Sequence, residues 1–500
     1  MNSSFIRYIL GRMMQVEGVF LLIPAIVGLG YREGGIVKWY GLCALLAILL
    51  GQLLTIKKYD DTTLYLKDGC ILTGACWVML SFVGAMPFWL SGEIPGFFDA
   101  IFESVSGFTT TGASILSDVE AMSHTGLFWR SFTHWIGGMG ILVFILAILP
   151  LAGGSNLNIM KAESTGQSVG KLVPSIKQTA GILYLIYILL TLIELVLLIV
   201  CRMPLFDAVC TAFGTAGTGG FGIKADSIAG YNLGIKWVVT IFMMLFGVNF
   251  YFFYAIILGK IKKALSMEEV RVFACVILVA VIAIFVDIYK LYDNIGIAFT
   301  DAAFQVGTII SSTGFATCDF DKWPEFSRLL LMLLTFMGSC AGSTGGGMKV
   351  SRLIVLFKTA RREIKYYVHP SRIYKLTLDG KTVEPEVIRG IKAYFVTYML
   401  VFIISTLIIS LHGEDQVTGI TAVIACINNT GPGLAGVGPS SNFGFFAWWA
   451  KLVLIFDMLA GRLELFPMIM LLNPIVWRDL VLRKNKEAKR RKENCLKNRV

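Results

Sequence analysis

The sequence has little charge for its length. Of its 500 residues, 15% are Asp, Glu, Lys or Arg and 56% are hydrophobic, whereas soluble globular proteins carry about 25% charged residues. The mean hydropathy is +0.72. This composition excludes a soluble globule, and we expect a multi-pass membrane protein.

The residues that build metal centres, disulfide frameworks and catalytic clusters are also scarce. Ten cysteines are scattered without a Cys-x-x-Cys pair, so neither a disulfide framework nor a zinc site is implied. The four histidines form no metal-binding pair. A membrane-embedded enzyme such as a lipid transferase would need His, Asp or Glu clustered within helical reach. No such cluster appears, and we therefore expect a protein that is not an enzyme.

The first apolar run also lacks the pattern expected of a cleavable leader. Arg7 and Arg12 precede an apolar run, but no small-residue cleavage site follows it, so we expect a retained first helix. Residues 13–31 and 36–56 form a first pair of predicted spanning helices.

The net charge of +11 is concentrated in two places. Residues 348–392 carry eleven Lys and Arg against four acids, and residues 478–500 carry ten against three. Under the positive-inside rule both segments face the cytoplasm. A basic excess can also indicate nucleic-acid binding, but these segments flank predicted spanning helices and lack interleaved aromatic residues. Attraction to anionic lipid or docking of a partner protein would account for the charge equally well.

A stretch at residues 99–113 returns three more times in weaker form. In each copy a glycine follows the starting residue after thirteen positions, and the copies start at Asp99, Asp207, Asp301 and Thr418. The repeat glycines are Gly112, Gly220, Gly314 and Gly431. Repetition at one fixed interval indicates an internally repeated architecture.

Small hydroxyl or amide residues lead into each repeat glycine. Two positions before it stand Thr110, Thr218, Ser312 and Asn429. One position before it stand Thr111, Gly219, Thr313 and Thr430. The second copy offers two glycines, and the Gly-Phe pair that it shares with the third copy favours alignment on Gly220. We call the three residues that end at each repeat glycine a glycine segment.

Each copy begins with about ten mostly apolar residues, which as a helix would be about 15 Å long, half of the roughly 30 Å hydrocarbon layer. Such a half-helix, followed by an extended Thr/Ser-Thr-Gly run, is typical of a re-entrant pore loop whose carbonyls replace the water of an ion. The alternative is a set of ordinary helix-ending glycines. Four copies between spanning helices favour an ion-selective filter.

The predicted fold is an all-α polytopic membrane protein with four helix–pore loop–helix units in pseudo-fourfold arrangement around one pore, preceded by the extra helix pair. Ten crossing segments and four re-entrant loops place both termini in the cytoplasm. The inner helices of units 2 and 4 are expected at 233–259 and 444–474. The predicted divisions are an N-terminal segment 1–67, units at 68–173, 174–266, 267–385 and 386–477, and a basic tail 478–500.

The inner helix of the third unit contains a glycine-rich run, 338–347, that cannot hold a stable helix. An unwound segment at membrane depth can form a moving barrier; the alternative is a flexible packing kink. A phosphate-binding loop is excluded because Met348 separates Gly347 from Lys349 and no strand precedes the run. The candidate gate residues are Gly338, Gly342, Gly345, Gly346, Gly347, Lys349 and Arg462.

Arg462 lies in the last predicted spanning helix. A guanidinium there costs about 2.5–3.5 kcal/mol on insertion scales, so it should face a cavity or a partner. Either its charge stands in the ion path below the filter and limits cation flux, or it is a strut paired with Glu464, Asp457 or filter carbonyls. We favour the position in the path.

These motifs resemble the Trk/Ktr/HKT superfamily of potassium transporters, and the extra first helix pair matches its bacterial Trk-type members. The motifs that carry the resemblance are Ser106–Ala113, Trp135–Gly140, Cys340–Gly347, Asn428–Gly433 and Gly461–Pro467. The resemblance covers nearly the whole chain.

The resemblance implies K⁺ uptake across the bacterial plasma (inner) membrane by a homodimer, controlled by a cytosolic TrkA-like subunit that binds nucleotide. It assigns the four repeat glycines to the glycines of a K⁺ filter, residues 338–347 to an intramembrane gate and Arg462 to an arginine of the inner helix. Together with the residues that precede the glycines, the predicted K⁺ filter comprises the twelve residues of the glycine segments. Plant relatives that pass sodium often have Ser at the first filter glycine, so Gly112 favours potassium. A Ktr-like sodium-dependent transporter remains the alternative.

Overall fold

The computed structural model describes residues 3–56, 65–148, 176–372, 374–474 and 478. These residues are mainly α-helical, as predicted. A two-stranded antiparallel hairpin, Thr377–Leu378 with Lys381–Thr382, is the only sheet among them.

The N-terminal pair consists of helices Ser3–Gly30 and Gly34–Thr55. The two helices approach closely because glycines lie where they touch: a Cβ built on Gly51 would be 2.5 Å from the carbonyl oxygen of Gly11. Small residues allow such contact between helices in a membrane. The first helix begins about ten residues before its predicted start.

Four repeats of outer helix, half-helix and inner helix follow. The outer helices are Leu66–Ser91, Ile176–Val200, Glu268–Ile288 and Pro385–Ser410. The half-helices are Phe97–Phe108, Leu205–Gly217, Ile295–Ile310 and Gln416–Ile427. The inner helices begin as His124–Ile148, Leu233–Phe246, Glu325–Met337 and Trp448–Arg462. The predicted fold class of four such units plus an N-terminal pair is therefore confirmed.

The prediction of a continuous inner helix over 233–259 was wrong. The helix ends at Phe246, and Phe250–Ile257 continues at an angle of 93°. The backbone at the break forms hydrogen bonds with the glycine-rich run 338–347. Cys340 N donates to Gly247 O (3.0 Å), and Phe250 N donates to Gly342 O (3.0 Å). These bonds satisfy peptide groups that a bend would otherwise expose.

The continuous helix predicted for 444–474 was also wrong. The helix begins at Trp448 and ends at Arg462, and Phe466–Leu472 follows as a separate short helix. Between them Glu464 (φ 56°) and Leu465 (φ 67°) have left-handed backbone. Pro467 is the second residue of the new helix, where its missing N–H costs no helical hydrogen bond, whereas in the interior of a continuous helix it would.

The predicted break in the third inner helix is confirmed. Glu325–Met337 ends before Gly338, and the helix resumes as Val350–Val368. The residues between, 338–349, are the glycine-rich loop. Four shorter helices complete the described elements: Ile261–Leu265, Tyr289–Leu291, Phe320–Lys322 and Ala435–Val437.

Six of the described helices are long and apolar enough to cross a membrane, and the bent pair 233–257 can be counted as a seventh. The expected ten crossings treated each inner helix as one span, whereas those of repeats 2, 3 and 4 are interrupted. Large apolar side chains are exposed on the outer helices, with Val200 at 72% and Leu407 at 63%. Since water would disfavour such surfaces, the chain is a multi-pass membrane protein.

Candidate functional site: four glycine segments around one axis

Each half-helix ends in the same hydrogen-bonded turn. In the first repeat Thr110 N donates to Gly107 O (3.1 Å) and Thr111 N to Ser106 O (2.9 Å). The corresponding pairs recur at 218 and 219, 312 and 313, and 429 and 430. This is a Schellman motif, in which the residue that leaves the helix takes left-handed backbone. That residue is Thr110, Thr218, Ser312 or Asn429, with φ between 53° and 57°.

The repeat glycines also have left-handed backbone, and each lies two residues after the residue that leaves its half-helix. Their φ angles are 81°, 71°, 91° and 91° at Gly112, Gly220, Gly314 and Gly431. They are therefore not the residues that end the half-helices, and the interpretation as ordinary helix-ending glycines was wrong. The pattern falls on Gly220 and not on Gly219, which agrees with the alignment chosen from the sequence.

The four segments meet in a closed ring. A Cβ built on Gly112 would lie 2.0 Å from the carbonyl oxygen of Gly219, and one on Gly220 would lie 2.0 Å from that of Thr313. A Cβ on Gly314 would lie 2.4 Å from Thr430 O, and one on Gly431 would lie 2.8 Å from Thr111 O. Every glycine thus faces the carbonyl that precedes the glycine of the next repeat. The ring closes from the fourth repeat to the first.

This geometry explains why glycine stands at these positions. A side chain would overlap the neighbouring carbonyl and would also need the left-handed backbone that L-residues disfavour. The negative ends of four half-helix dipoles converge on the same place. Among the described residues no group of three or more His, Cys, Asp or Glu could hold a metal ion. The oxygens at the ring belong to backbone carbonyls, to hydroxyls and to the side-chain amide of Asn429.

Buried polar contacts hold the chain that follows the first and third segments. Glu103, which is 0% exposed, accepts hydrogen bonds from Ser114 Oγ (2.9 Å) and Ile115 N (3.0 Å) and pairs with Arg130 Nε (2.8 Å). Its role is therefore that of an anchor. In the third repeat the residue that starts the copy, Asp301, accepts through Oδ1 from Thr317 Oγ1 (2.8 Å).

The glycine-rich loop lies against the helix-proximal ends of the third and fourth segments. Gly346 N donates to Ser312 Oγ (2.5 Å). A Cβ on Gly346 would be 2.3 Å from Asn428 O, and one on Gly345 would be 2.7 Å from Ser311 O. Glycine is required there because the two backbones are in contact.

Arg462 is the last residue of its helix and lies beside the glycine-rich loop. Its Nη1 donates to Thr344 O (2.8 Å) in the loop, and its Nη2 donates to Gly137 O (2.7 Å) in the first inner helix. Gly137 in turn packs on the end of the first half-helix, since a Cβ there would be 1.9 Å from Phe108 O. Loop and guanidinium together extend from the third and fourth segments across to the first.

The remaining predicted gate residues lie at the two ends of the loop. Gly338 and Gly347 pack against each other, with 2.7 Å between a Cβ on Gly338 and the Cα of Gly347. Gly342 is exposed and adjoins Asn249. Lys349 has left-handed backbone and donates through Nζ to Gly345 O. All nineteen predicted site residues thus lie in the ring, in the loop or at Arg462 beside it.

Glu269 was missed by the sequence analysis. This carboxylate, 3% exposed at the start of the third outer helix, accepts from Ala341 N (2.7 Å) and from Ser351 N (3.1 Å). It therefore ties the first part of the glycine-rich loop and the helix that follows the loop to one point. The two bonds join residues that are 72 and 82 positions apart in sequence, and no local pattern indicates such contacts.

Four repeated half-helices whose glycine segments contact one another in a closed ring are an arrangement typical of a membrane transport protein for ions. Comparison with known proteins agrees: a family described as TrkH, cation transport protein, matches residues 42–476. The chain belongs to this TrkH family. It is a transport protein and not an enzyme.

Individual relatives match over nearly their full length. The Trk system potassium uptake protein TrkH of Salmonella typhimurium is 35% identical over 488 residues, which cover 96% of this chain and 100% of that protein. The Trk system potassium uptake protein TrkG of Escherichia coli K12 is 32% identical over 488 residues, which cover 96% of this chain and 100% of that protein. The crystal structure of the potassium transporter TrkH from Vibrio parahaemolyticus superposes with a TM-score of 0.85 at 33% identity, over 95% of this chain and 100% of that chain.

Proposed function

We propose that this protein takes up K⁺ across the bacterial plasma membrane and that its glycine segments form the selectivity filter. The closed ring of carbonyls beside Gly112, Gly220, Gly314 and Gly431 carries the proposal. The similar proteins are Trk system potassium uptake proteins, which supports K⁺ as the bound and transported ion. The filter comprises the twelve residues of the four segments.

Gly112→Ser tests this assignment. The new Cβ would stand 2.0 Å from Gly219 O, so the carbonyl must move and the ring must change its size. We expect K⁺ and Na⁺ permeabilities in proteoliposomes to become more similar. Gly92→Ser is the matched control, because Gly92 is also left-handed (φ 81°) but has nothing within 4 Å of a built Cβ. Unchanged relative permeabilities in Gly112→Ser would count against the filter.

We further propose that the glycine-rich loop, with Lys349 and Arg462, is the gate. The loop touches Ser311, Ser312 and Asn428 at the helix-proximal end of the ring, and Arg462 joins it to Gly137 on the other side. A cation that leaves the ring would meet loop backbone and a positive charge. Opening requires the loop to withdraw and these hydrogen bonds to break.

A cytosolic TrkA-like subunit is the proposed regulator, and nucleotide would act only through it. Helix Val350–Val368 continues directly from the loop and presents Phe357 (76% exposed) and Tyr367 (90% exposed) together with basic residues. A partner bound to this helix could therefore move the loop. The second basic block, 478–500, lies outside the described residues except for Arg478.

The proposal also includes a homodimer in the inner membrane, with both termini of each protomer in the cytoplasm. Growth of an uptake-deficient bacterium on limiting K⁺, with and without a TrkA-type partner, tests uptake and regulation together. Uptake that requires external Na⁺ would favour the Ktr-like alternative. The repeat boundaries given from sequence stay predictions.

A further inference from the structure

The second glycine segment lacks side chains that the other three share. At the positions three and one before the repeat glycine, the first, third and fourth repeats carry the pairs Thr109/Thr111, Ser311/Thr313 and Asn428/Thr430. The second repeat has Gly217 and Gly219 at these positions.

In the other three repeats the side chains at these two positions form hydrogen bonds next to the segment. Thr109 Oγ1 and Thr111 Oγ1 are 2.8 Å apart, and Ser311 Oγ and Thr313 Oγ1 are 2.7 Å apart. In the fourth repeat Thr430 Oγ1 donates to a backbone oxygen, that of residue 428, at 3.4 Å. All these side chains are buried. A buried hydrogen bond next to the chain fixes where the adjoining carbonyl can lie.

His134 of the first inner helix fills the corresponding space in the second repeat. A Cβ built on Gly219 would lie 2.3 Å from Nδ1 and 2.4 Å from Cγ of its imidazole. A Cβ on Gly217 would lie 2.3 Å from the carbonyl oxygen of His134. The imidazole is 0% exposed. The imidazole thus explains Gly219, because threonine and imidazole cannot occupy the same volume, whereas the backbone carbonyl of the inner helix explains Gly217.

The ring is hydrogen-bonded on both sides. Phe221 N donates to Nε2 (3.2 Å), so Nε2 must be unprotonated. Nδ1 therefore carries the proton and donates to Gly107 O (2.8 Å). Gly107 lies in the last turn of the first half-helix and Phe221 directly follows Gly220. One neutral imidazole consequently connects the first and second segments.

We infer that His134 is a positioning residue of the filter, which does for the second segment what the hydroxyl and amide pairs do for the other three. It holds the carbonyl of Gly219, which faces Gly112 in the ring, and so contributes to ion preference. The inference rests on the proposed function of the ring.

The test is relative K⁺ and Na⁺ permeability in proteoliposomes of the whole protein. His134→Ala removes both hydrogen bonds, and one net bond of about 1 kcal/mol corresponds to a roughly fivefold lower permeability ratio. His124→Ala is the control: it lies at the start of the same helix, is 46% exposed and contacts Glu33 away from the ring. It should leave the ratio unchanged.

A rescue separates positioning from general packing. Gly219→Thr alone should prevent assembly, since its side chain overlaps the imidazole. In the double variant with His134→Ala the threonine has room and can bond to the backbone as Thr430 does. We expect the double variant to regain at least part of the ratio lost in His134→Ala, or, if that single variant does not fold, to restore folded protein.

An unchanged ratio in folded His134→Ala would overturn the inference, as would a double variant that is no better than the single variants. Gly112→Ser distinguishes the two levels of the proposal. If it alters the ratio and His134→Ala does not, the filter stands and the role of His134 falls. If neither does, the filter assignment falls as well.

Discussion

Glu269→Ala should open the proposed gate. In the structure its carboxylate accepts from Ala341 N at 2.7 Å, within the glycine-rich loop, and from Ser351 N at 3.1 Å, in the helix that follows the loop. Alanine leaves both N–H groups without this acceptor. When the loop withdraws, water can reach them, so the substitution destabilises the closed arrangement more than the open one.

The magnitude follows from the two lost bonds. A buried donor deprived of its acceptor costs about 1–3 kcal/mol, so two donors give roughly 2 kcal/mol at the lower bound. Because every 1.4 kcal/mol is a factor of ten, the ratio of open to closed protein should rise about 30-fold. Glu269→Gln keeps one neutral acceptor and should produce a smaller rise.

The assay is Rb⁺ uptake into proteoliposomes without any regulatory subunit, normalised to folded protein. Glu268→Ala is the matched control. Glu268 is the neighbouring residue and pairs with Lys358 at 2.5 Å in a partly exposed site, where an ion pair is worth only about 0–1 kcal/mol. Equal uptake by the Glu269 and Glu268 variants would refute the reasoning. If Glu269→Ala fails to fold, the same comparison is made with Glu269→Gln, and uptake equal to that of the Glu268 variant would refute the reasoning.

Three further changes test other parts of the site. Arg462→Ala removes the bonds to Thr344 and Gly137 and should raise Rb⁺ uptake severalfold; a loss of folded protein would favour the strut. Deleting several residues from 342–347 should likewise raise basal flux, and flux equal to the parent would assign the loop to packing. Arg130→Met leaves Glu103 buried without its ion pair and should lower stability by about 3–5 kcal/mol. The double change with Glu103→Gln should recover part of that loss in thermal unfolding.

The repeated architecture could be predicted because it depends on local signals. The thirteen-residue interval from Asp99 to Gly112 spans one half-helix and its segment, and both are short-range structures. The sequence also indicated the break at 338–347, since a run of glycines cannot remain helical.

The breaks at 247–249 and 463–465 were missed because an apolar run reports burial in lipid and not the path of the backbone. At Gly247 the bend depends on a hydrogen bond from Cys340, which lies far away in sequence. Pro467 was a local signal for the second break.

The packing around His134 could not be predicted either. Gly217 and Gly219 were visible as departures from the pattern of the other copies, but no local pattern indicated which side chain fills the space. Only the tertiary structure brings the imidazole within 2.3 Å of the Cβ position at residue 219. Positions where one repeat departs from its copies are therefore the places to look for a contact from another element.

The most direct test of the four-segment filter is anomalous diffraction from crystals grown in Rb⁺. A peak is expected on the axis between Gly112, Gly220, Gly314 and Gly431, at coordinating distance from the carbonyls of residues 111, 219, 313 and 430, and it should weaken when K⁺ competes. Ordered crystals with no peak on that axis, or with ions bound elsewhere, would contradict the central claim.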